Sequence, residues 1–408
     1  MRMRLRFAAL LLALAATAGL VTGCNDDAKQ RVLLISLDGF RWDYRSRMAT
    51  PTLDAIAAAG VSAAKLEPAF PSKTFPNHFT LVTGLVPDHH GIISNNMRDP
   101  RIPGVVFTMG NRDAVVDPRW WEAEPIWTLL EKQGRRTAPL LWPGAEAPIG
   151  GVMADHWMKY EHDLTDEQRL ALVAQLFEKP EADWPDFTTL YWHQIDTAGH
   201  RFGPDSPELR EAVERIDGAL GQLRDRLRTL GAPESLNVIV VSDHGMSQQA
   251  SDRVIYLEDY IDLDAVETLD SSPSVGIYPV SLTVDQVYEQ LAGRHPRLRV
   301  YRKGDYPERL QFGTHPRVPP IYAMADEDWA VYPRRRAGSG GPSGGAHGYD
   351  NAAESMQGLF VAAGPALKRG VAIERFRSVD VYELMCAILG VTPASNDGSR
   401  QAARALLR

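Results

Sequence analysis

A single hydroxyl side chain, Thr74, lies between two prolines that interrupt regular secondary structure. Pro71 and Pro76 each disfavour a continuous helix or strand, so the segment 71–78 is predicted to turn and to present Thr74 at the head of a segment that ends at Gly84. A hydroxyl in such a place can act as a nucleophile, although a threonine before a helix is more often only its N-cap. The other reactive residues of the chain decide between these interpretations.

Three aspartates and three histidines follow apolar or glycine-rich runs elsewhere in the sequence. They are Asp38, Asp196, His200, Asp243, His244 and His347. The first five follow the runs 32–37, 187–192 and 236–242, which are typical of buried strands, and the last follows the glycine- and serine-rich run 338–345. Each residue alone has a second interpretation as a turn aspartate or a loop histidine. Functional side chains of open α/β sheets gather beyond the carboxyl ends of the strands, so the six are expected to meet.

A mixture of carboxylate oxygens and imidazole nitrogens suits zinc better than magnesium or calcium, whose sites are dominated by oxygen. We therefore expect two Zn²⁺ ions. Paired metals about 4 Å apart stabilise both the entering and the leaving oxygen of a displacement at phosphorus, and they can activate a hydroxyl such as that of Thr74.

The remaining composition is that of an ordinary globular protein. The chain has 408 residues with 44% apolar residues, which allows one large or two medium domains. Its formal net charge is −8, and it becomes −11 without residues 1–23, which hold three arginines and no acidic residue. So acidic a chain is a poor candidate for binding nucleic-acid polymers.

The first 23 residues have the pattern of a secretory signal peptide: arginines at 2, 4 and 6, an apolar run over 7–20, and small residues before Cys24. The apolar run is short for a membrane span. Cys24 has the position of the lipid-bearing cysteine of a bacterial lipoprotein, with cleavage at a nearby ordinary signal site as the alternative. We predict export to the periplasm with a lipid anchor, a polar linker over 24–31, and no internal disulfide, since Cys386 is the other cysteine.

Apolar strand patterns alternate with helix patterns along residues 32–408, which predicts an α/β fold in a single catalytic domain. Further strands are predicted at 137–141 and 356–363, and helices at 51–60, 164–177, 206–230 and 378–389. The pattern becomes short and mixed over 261–333, with a helix at 284–291 and strands at 298–301, 319–324 and 329–332. Because candidate ligands resume after it, this segment is predicted to be an inserted lobe.

Seven spaced segments together resemble the nucleotide pyrophosphatase/phosphodiesterases of the alkaline phosphatase superfamily, in that family's order. They are 37–40, 71–78, 91–97, 124–127, 196–200, 242–246 and 345–351. The resemblance implies an alkaline-phosphatase-like fold: a central, mostly parallel sheet with helices on both faces and a small inserted lobe. The cysteine-rich modules of animal relatives are lacking, so the protein-binding roles of those modules do not carry over.

The resemblance also implies roles for the metal ligands. One zinc would be held by Asp38, Asp243 and His244, and the other by Asp196, His200 and His347. Thr74 would lie at the metals as the nucleophile.

Four further residues receive substrate-binding roles from the resemblance. Asn95 would donate to a non-bridging phosphate oxygen, with a turn asparagine as the alternative. Phe75 and Tyr160 would sandwich a nucleobase, with core packing as the alternative for each ring. Lys73 would reach the substrate, or else be a solvated lysine.

The function implied is a two-zinc phosphodiesterase that hydrolyses phosphodiester or pyrophosphate bonds of small-molecule nucleotides and releases a nucleoside monophosphate through a covalent Thr74 intermediate. The alternative on the same fold is a phospholipid-headgroup phosphodiesterase or a phosphonate hydrolase, because only the pocket differs. A lipid-anchored binding protein with structural zinc is disfavoured, since structural zinc sites are closed and four-coordinate. The sequence leaves the oligomeric state open.

Overall fold

The structure, a computed structural model, describes residues 29–270, 272–334 and 342–408. The predicted signal peptide, Cys24 and most of the predicted linker lie outside the described residues, as does part of the run 338–345. Within these ranges, no helix has the length and apolar character needed to span a bilayer.

The strands, in chain order, are β1 Arg31–Leu37, β2 Val61–Glu67, β3 Met97–Arg98, β4 Val106–Phe107, β5 Thr137–Pro139, β6 Phe187–Trp192, β7 Leu236–Val241, β8 Ser247–Gln248, β9 Val254–Tyr256, β10 Val266–Leu269, β11 Ser274–Pro279, β12 Leu298–Arg302, β13 Ile321–Ala325, β14 Ala330–Tyr332, β15 Gly345–Ala346, β16 Gly358–Ala363 and β17 Val371–Arg377. The α-helices are α1 Tyr44–Arg47, α2 Pro51–Ala59, α3 Thr74–Thr83, α4 Pro87–His90, α5 Arg112–Val115, α6 Ile126–Glu131, α7 Asp166–Phe177, α8 Gln194–Phe202, α9 Pro207–Thr229, α10 Val284–Leu291, α11 Ser378–Leu389 and α12 Arg400–Arg404.

A seven-stranded sheet in the order β17-β2-β16-β7-β1-β6-β5 forms the centre of the fold. All its neighbouring pairs are parallel except those of β16, which runs antiparallel to both β2 and β7. Every residue of β1 and β6 is buried. Because successive side chains of a strand point to opposite faces, both faces of the sheet are covered. The predicted α/β fold class with a mostly parallel sheet is confirmed.

The sequence of α9, the longest helix among the described residues, explains both where it begins and which face it buries. Its buried large aliphatic residues recur at steps of three and four and form one face that packs against α2, α7 and α8. They are Leu209, Val213, Ile216, Leu220, Leu223 and Leu227. Ser206 caps the helix by accepting from the N–H of Leu209, and Pro207 occupies the first turn, where no intrahelical donor is needed.

Differences from the predicted strands have local causes. The strand predicted at 137–141 ends at Pro139, and it lies at the edge of the sheet, where a residue without an N–H is tolerated. The strand predicted at 356–363 starts at Gly358. The edge strand β17 was missed because three of its seven residues are charged and only one is buried, and β2 was missed because it carries small and polar residues.

A second sheet, antiparallel and in the order β10-β11-β13-β12, falls within the segment 261–333. Together with α10 it encloses its own apolar cluster, which includes Ile277, Val287, Leu291 and Ile321. The strands β10 and β11 were not predicted. The strand predicted at 329–332 is observed as β14, which pairs with β9 and lies outside the four-stranded sheet. We call residues 261–333 the inserted lobe below.

Candidate active site

Three neighbouring parallel strands bring the predicted aspartates to one edge of the sheet. Asp38 follows β1, Asp243 lies two residues after β7, and Asp196 lies in the first turn of α8, which follows β6. Gly39 has φ of +70°, and a Cβ there would lie 2.9 Å from the Cα of Asp196. A glycine is therefore needed for β1 to turn so close to α8.

The predicted ligand atoms converge at this edge. The carboxylate Oδ1 of Asp196 lies 3.3 Å from Nε2 of His200 and 3.6 Å from Nε2 of His347. Nε2 of His244 lies 2.9 Å from Oδ2 of Asp243 and 3.5 Å from Oδ1 of Asp38. Ligand atoms of Asp196, His200 and His347 lie within 4.8 Å of one another, as do those of Asp38, Asp196 and His244. The structure thus brings all six together.

All three histidines are oriented in the same way, because each Nδ1 contacts a backbone carbonyl oxygen. For His200, His244 and His347 the acceptors are, in that order, the carbonyls of Gly345, Gly245 and Ser72, at 2.9, 2.9 and 3.0 Å. An Nδ1–H donor leaves the Nε2 lone pair directed at the carboxylates. Such an outer hydrogen bond fixes the tautomer that a metal-binding histidine requires.

His347 reaches the site through the short antiparallel pairing of β15 with β8, and β8 follows Asp243 and His244 closely in the chain. Gly344 precedes β15 with φ of +71°, and a Cβ there would lie 2.0 Å from the carbonyl oxygen of His200. The imidazoles of His347 and His244 stack with their centres 3.5 Å apart and their planes 12° apart. Glycine at position 344 therefore allows the backbone before His347 to lie directly against the backbone of His200.

The charges at this edge require a cation. Burial raises the pKa of Asp38 well above its usual value, and the nearby Asp243 and Asp196 carboxylates raise it further. The pKa of Asp196 is also raised, chiefly by burial. Oδ1 of Asp38 and Oδ1 of Asp196 are buried and accept no hydrogen bond from the residues that the structure describes. Buried carboxylates without donors are costly unless a cation balances them, so the residues fit a metal site.

The histidines fit the same conclusion. Burial and the neighbouring His244 and His200 lower the pKa of His347 well below its usual value, which keeps the ring in the neutral form that binds metals. Oxygen and imidazole donors together favour zinc or another transition metal over magnesium and calcium.

Two buried residues beside the ligands were not assigned a role from the sequence. The hydroxyl of Tyr191 donates to Oδ2 of Asp38 at 2.6 Å, which leaves Oδ1 facing the site. His78 contacts the carbonyl of Thr74 through Nδ1 at 2.8 Å and the Ser36 hydroxyl through Nε2 at 2.9 Å. Although His78 lies close to Asp38 and Asp243, both of its nitrogens are engaged, so it supports the site and is not a seventh ligand.

Thr74 is the first residue of α3, and its Oγ1 lies 3.4 Å from Nε2 of His244. The turn before it is held by Asn77, whose Oδ1 accepts from the N–H of Ala69 at 2.8 Å. The Nδ2 of Asn77 donates to the carbonyls of Pro71 and Lys73 at 3.0 and 3.1 Å. Asn77 therefore stabilises the turn within the motif 71–78, and this turn places the Thr74 hydroxyl at the ligand cluster.

Asn95 lies beside this helix start. Its Oδ1 accepts from the N–H of Phe75 at 2.9 Å, which satisfies one of the unpaired donors of the first turn. The amide Nδ2 then remains as a hydrogen-bond donor next to Thr74.

A cavity of about 290 Å³ opens beside the cluster and is lined by Asp38, Thr74, Phe75, Tyr160 and Asp196, among others. The two aromatic rings predicted to form a sandwich therefore line one cavity. Each ring is also packed against the core, since Phe75 lies 5.8 Å from Phe107 and Tyr160 lies 5.8 Å from Tyr191 between ring centres.

The cavity contains side chains that the sequence analysis did not identify. They include Met109, Arg112, Trp142, Glu146, His162 and His193. His162 and His193 stack at 4.2 Å, and the Tyr160 hydroxyl contacts Nδ1 of His162 at 3.2 Å. No motif signal was available for them, because the residues of this wall come from separate loops.

The structure places Lys73 in a buried ion pair. It is buried and does not line the cavity, and its ammonium pairs with Asp270 of the inserted lobe. The burial of Lys73 contradicts the alternative of a solvated side chain, whereas its predicted contact with substrate stays a prediction. The physical reason for the burial is the buried carboxylate partner, which lies almost 200 positions away in the sequence.

Comparisons with known proteins agree with this geometry. A family model described as type I phosphodiesterase/nucleotide pyrophosphatase matches residues 32–350. Human ectonucleotide pyrophosphatase/phosphodiesterase family member 5 is 38% identical over 371 residues, which cover 91% of this chain and 76% of the relative. Human bis(5′-adenosyl)-triphosphatase is 36% identical over 396 residues, which cover 95% of this chain and 85% of the relative.

A solved structure of a relative also resembles this chain in sequence and in fold. An inactive variant of murine ectonucleotide pyrophosphatase/phosphodiesterase 5, in complex with AMP, has a TM-score of 0.88 at 37% identity and covers 93% of this chain and 100% of that chain.

Proposed function

The chain belongs to the type I phosphodiesterase/nucleotide pyrophosphatase family, and from this premise we propose that it cleaves phosphodiester or pyrophosphate bonds of small nucleotides and releases a nucleoside monophosphate. The observation that carries the proposal is the placement of the Thr74 hydroxyl, 3.4 Å from Nε2 of His244, between a cluster of metal-ligand side chains and a cavity with aromatic walls.

Two zinc ions are proposed as cofactors. Asp196, His200 and His347 would hold one of them. Asp38, Asp243 and His244 would hold the other, with Thr74 beside it. When bound, the ions supply positive charge that stabilises the phosphate oxygens and lowers the pKa of a coordinated hydroxyl.

Thr74 is the proposed nucleophile. Its Oγ1 forms a bond to phosphorus while the bond from phosphorus to the departing oxygen breaks, and the leaving group takes up a proton. Water then cleaves the bond between phosphorus and Oγ1, which releases the nucleoside monophosphate and restores the hydroxyl. Thr74 is well suited to hold a phosphoryl group, because the N-terminus of α3 favours negative charge.

Asn95 is proposed to donate from Nδ2 to a non-bridging phosphate oxygen. The hydrogen bond from the Phe75 N–H fixes Oδ1 at 2.9 Å and so sets which end of the amide faces the substrate. A neutral donor suits the single charge of a diester, whereas a monoester carries about two charges near neutral pH.

Phe75 and Tyr160 are proposed to hold the nucleobase. Both rings line the cavity of about 290 Å³ that also borders Thr74. The AMP complex of the murine relative supports a nucleotide as the occupant. The remaining ester oxygen of a diester can then lead away from the cavity with the leaving group.

A substrate panel tests the proposal. Purified protein should hydrolyse nucleotide diesters and dinucleoside polyphosphates with release of a nucleoside monophosphate, detected by chromatography. Phosphocholine diesters and phosphonate esters should be hydrolysed more slowly. If a lipid-headgroup diester is the best substrate, the proposed use of the cavity is wrong while the metal chemistry stands.

A further inference from the structure

One carboxylate of the inserted lobe reaches the loops on both sides of the candidate active site. Asp270 lies directly after β10, and its carboxylate accepts from the ammonium of Lys73 and from the hydroxyl of Ser94. Nδ2 of Asn96 donates to Oδ1 of the same carboxylate at 3.1 Å. Lys73 also donates to the Ser94 hydroxyl at 3.3 Å.

The partners of Asp270 are the sequence neighbours of the two residues proposed to act on phosphate. Lys73 precedes Thr74 and is the N-cap residue of α3, with extended backbone. Ser94 and Asn96 flank Asn95 on both sides. A single side chain therefore links the start of the Thr74 helix with the loop that presents the Asn95 amide.

This link lies away from solvent. The side chains of Lys73 and Asp270 are 4% and 10% exposed. Although burial opposes it, the neighbouring Asp270 carboxylate raises the pKa of Lys73, so the ammonium stays charged. Charge-assisted hydrogen bonds are strong and well ordered in such surroundings, and an ammonium that loses its partner there is poorly tolerated.

The backbone at Asp270 is also unusual. Its φ is +78°, in the left-handed region, which residues other than glycine, asparagine and aspartate rarely adopt. Residues held in this region persist where the surrounding contacts fix them. Here those contacts include the three donors of the two loops.

We propose that Asp270 is a positioning residue, through which the inserted lobe fixes the Thr74 and Asn95 loops relative to each other. The effect on turnover rests on the proposed function of Thr74 and Asn95. Asp270 lies outside the residues that line the cavity, so its effect is exerted through Lys73, Ser94 and Asn96.

Two variants test the role. Asp270→Asn keeps the shape and tolerates the left-handed backbone but removes the charge, and Asp270→Gly removes the side chain with the backbone unstrained. The matched control is Asp326→Asn, which breaks an ion pair with Arg299 at 2.8 Å, a contact that stays within the inserted lobe.

Misplacement by about 1 Å can cost about a hundredfold in rate. We expect kcat on a diester to fall about tenfold for the first variant and up to about a hundredfold for the second, with KM within about twofold, unchanged metal content, and the control at wild-type values.

Hydrogen–deuterium exchange provides a readout without substrate. In both Asp270 variants, exchange should become faster in the segments 72–78 and 93–97, including the N–H of Phe75, which donates a hydrogen bond to Asn95. In Asp326→Asn, exchange in these segments should stay unchanged. If the wild type hydrolyses no diester, the proposed function fails, and this exchange pattern still decides whether Asp270 orders the two loops.

The results that would overturn the role are definite. One is kcat of a folded Asp270 variant within twofold of wild type. Another is faster exchange spread over the whole chain, which indicates general destabilisation. If neither single variant folds, the double variant Lys73→Met with Asp270→Gly leaves no unpaired buried charge, and wild-type kcat in that protein would equally exclude the role.

Discussion

The hydroxyl of Tyr191 donates to Oδ2 of Asp38 at 2.6 Å across two paired strands of the central sheet. Asp38 is one of three carboxylates crowded into a buried edge, and burial and the other two carboxylates already raise its pKa. A donor to the ionised carboxylate favours the charged form that a metal requires. The contact therefore fixes both the charge and the orientation of a proposed ligand.

Replacement of this hydroxyl gives the first prediction. Tyr191→Phe should weaken zinc binding by about 10- to 100-fold, the usual cost of losing a partner of a metal ligand, with little change in fold. Competition with a chromophoric chelator measures the affinity. The matched control is Tyr44→Phe, because the Tyr44 hydroxyl is also buried but has no hydrogen-bond partner within residues 29–270, 272–334 and 342–408. Equal zinc affinities of Tyr191→Phe and wild type would show that the contact does not tune the metal site.

Metal removal gives the second prediction. Dialysis against a chelator should abolish turnover, and added zinc should restore it, because the buried Oδ1 atoms of Asp38 and Asp196 have no hydrogen-bond donor among the described residues to balance them. Metal content by mass spectrometry should approach two zinc ions per chain. Full activity in protein shown to be metal-free would disprove the proposed cofactor.

Asn95 gives the third prediction. Asn95→Ala should lower turnover by about a hundredfold, the scale of losing one donor to a developing negative charge. Steady-state kinetics on a diester measure the loss, and Asn95→Asp should be at least as impaired, because it keeps the acceptor for the Phe75 N–H and replaces the donor with a negative charge. Wild-type turnover of the alanine variant would exclude the contact with phosphate.

The N-terminus gives the fourth prediction, which rests on residues outside those the structure describes. The chain is proposed to be exported and lipid-anchored at Cys24, because small residues precede this cysteine after an apolar run. Mass spectrometry of the mature protein should find a modified Cys24 as the first residue. An unmodified N-terminus downstream of Cys24 would leave export standing and remove the anchor.

The sequence contained the parts of the site that depend on local pattern. An apolar run that ends at Asp38 or Asp243 predicts a buried strand with a ligand at its carboxyl end, and the parallel pairing of these strands confirms their common edge. The pairing of Asp38 with Tyr191 joins residues 153 positions apart, and no local pattern marks it. A tyrosine in an apolar strand is normally interpreted as a residue of the hydrophobic core.

The same limit explains why the buried ion pair of Lys73 was not predicted. A lysine next to a nucleophile is an obvious candidate for a substrate contact, and its sequence surroundings contain no acidic residue to compete. Its partner, Asp270, lies in the inserted lobe, and the lobe's sheet was only partly predicted because β10 and β11 are short and mixed in composition. Contacts between the lobe and the main sheet depend on the tertiary fold alone.

The central claim is that Thr74 is the nucleophile of an enzyme that prefers diesters. The most direct measurement compares p-nitrophenyl thymidine 5′-monophosphate with p-nitrophenyl phosphate, which share one leaving group, in wild type, Thr74→Ala and the control Thr83→Ala from the same helix. Wild type and Thr83→Ala should hydrolyse the diester faster than the monoester, and Thr74→Ala should lose turnover with its metal content largely unchanged. Faster hydrolysis of the monoester by wild type, or undiminished turnover of the diester by Thr74→Ala, would contradict the claim.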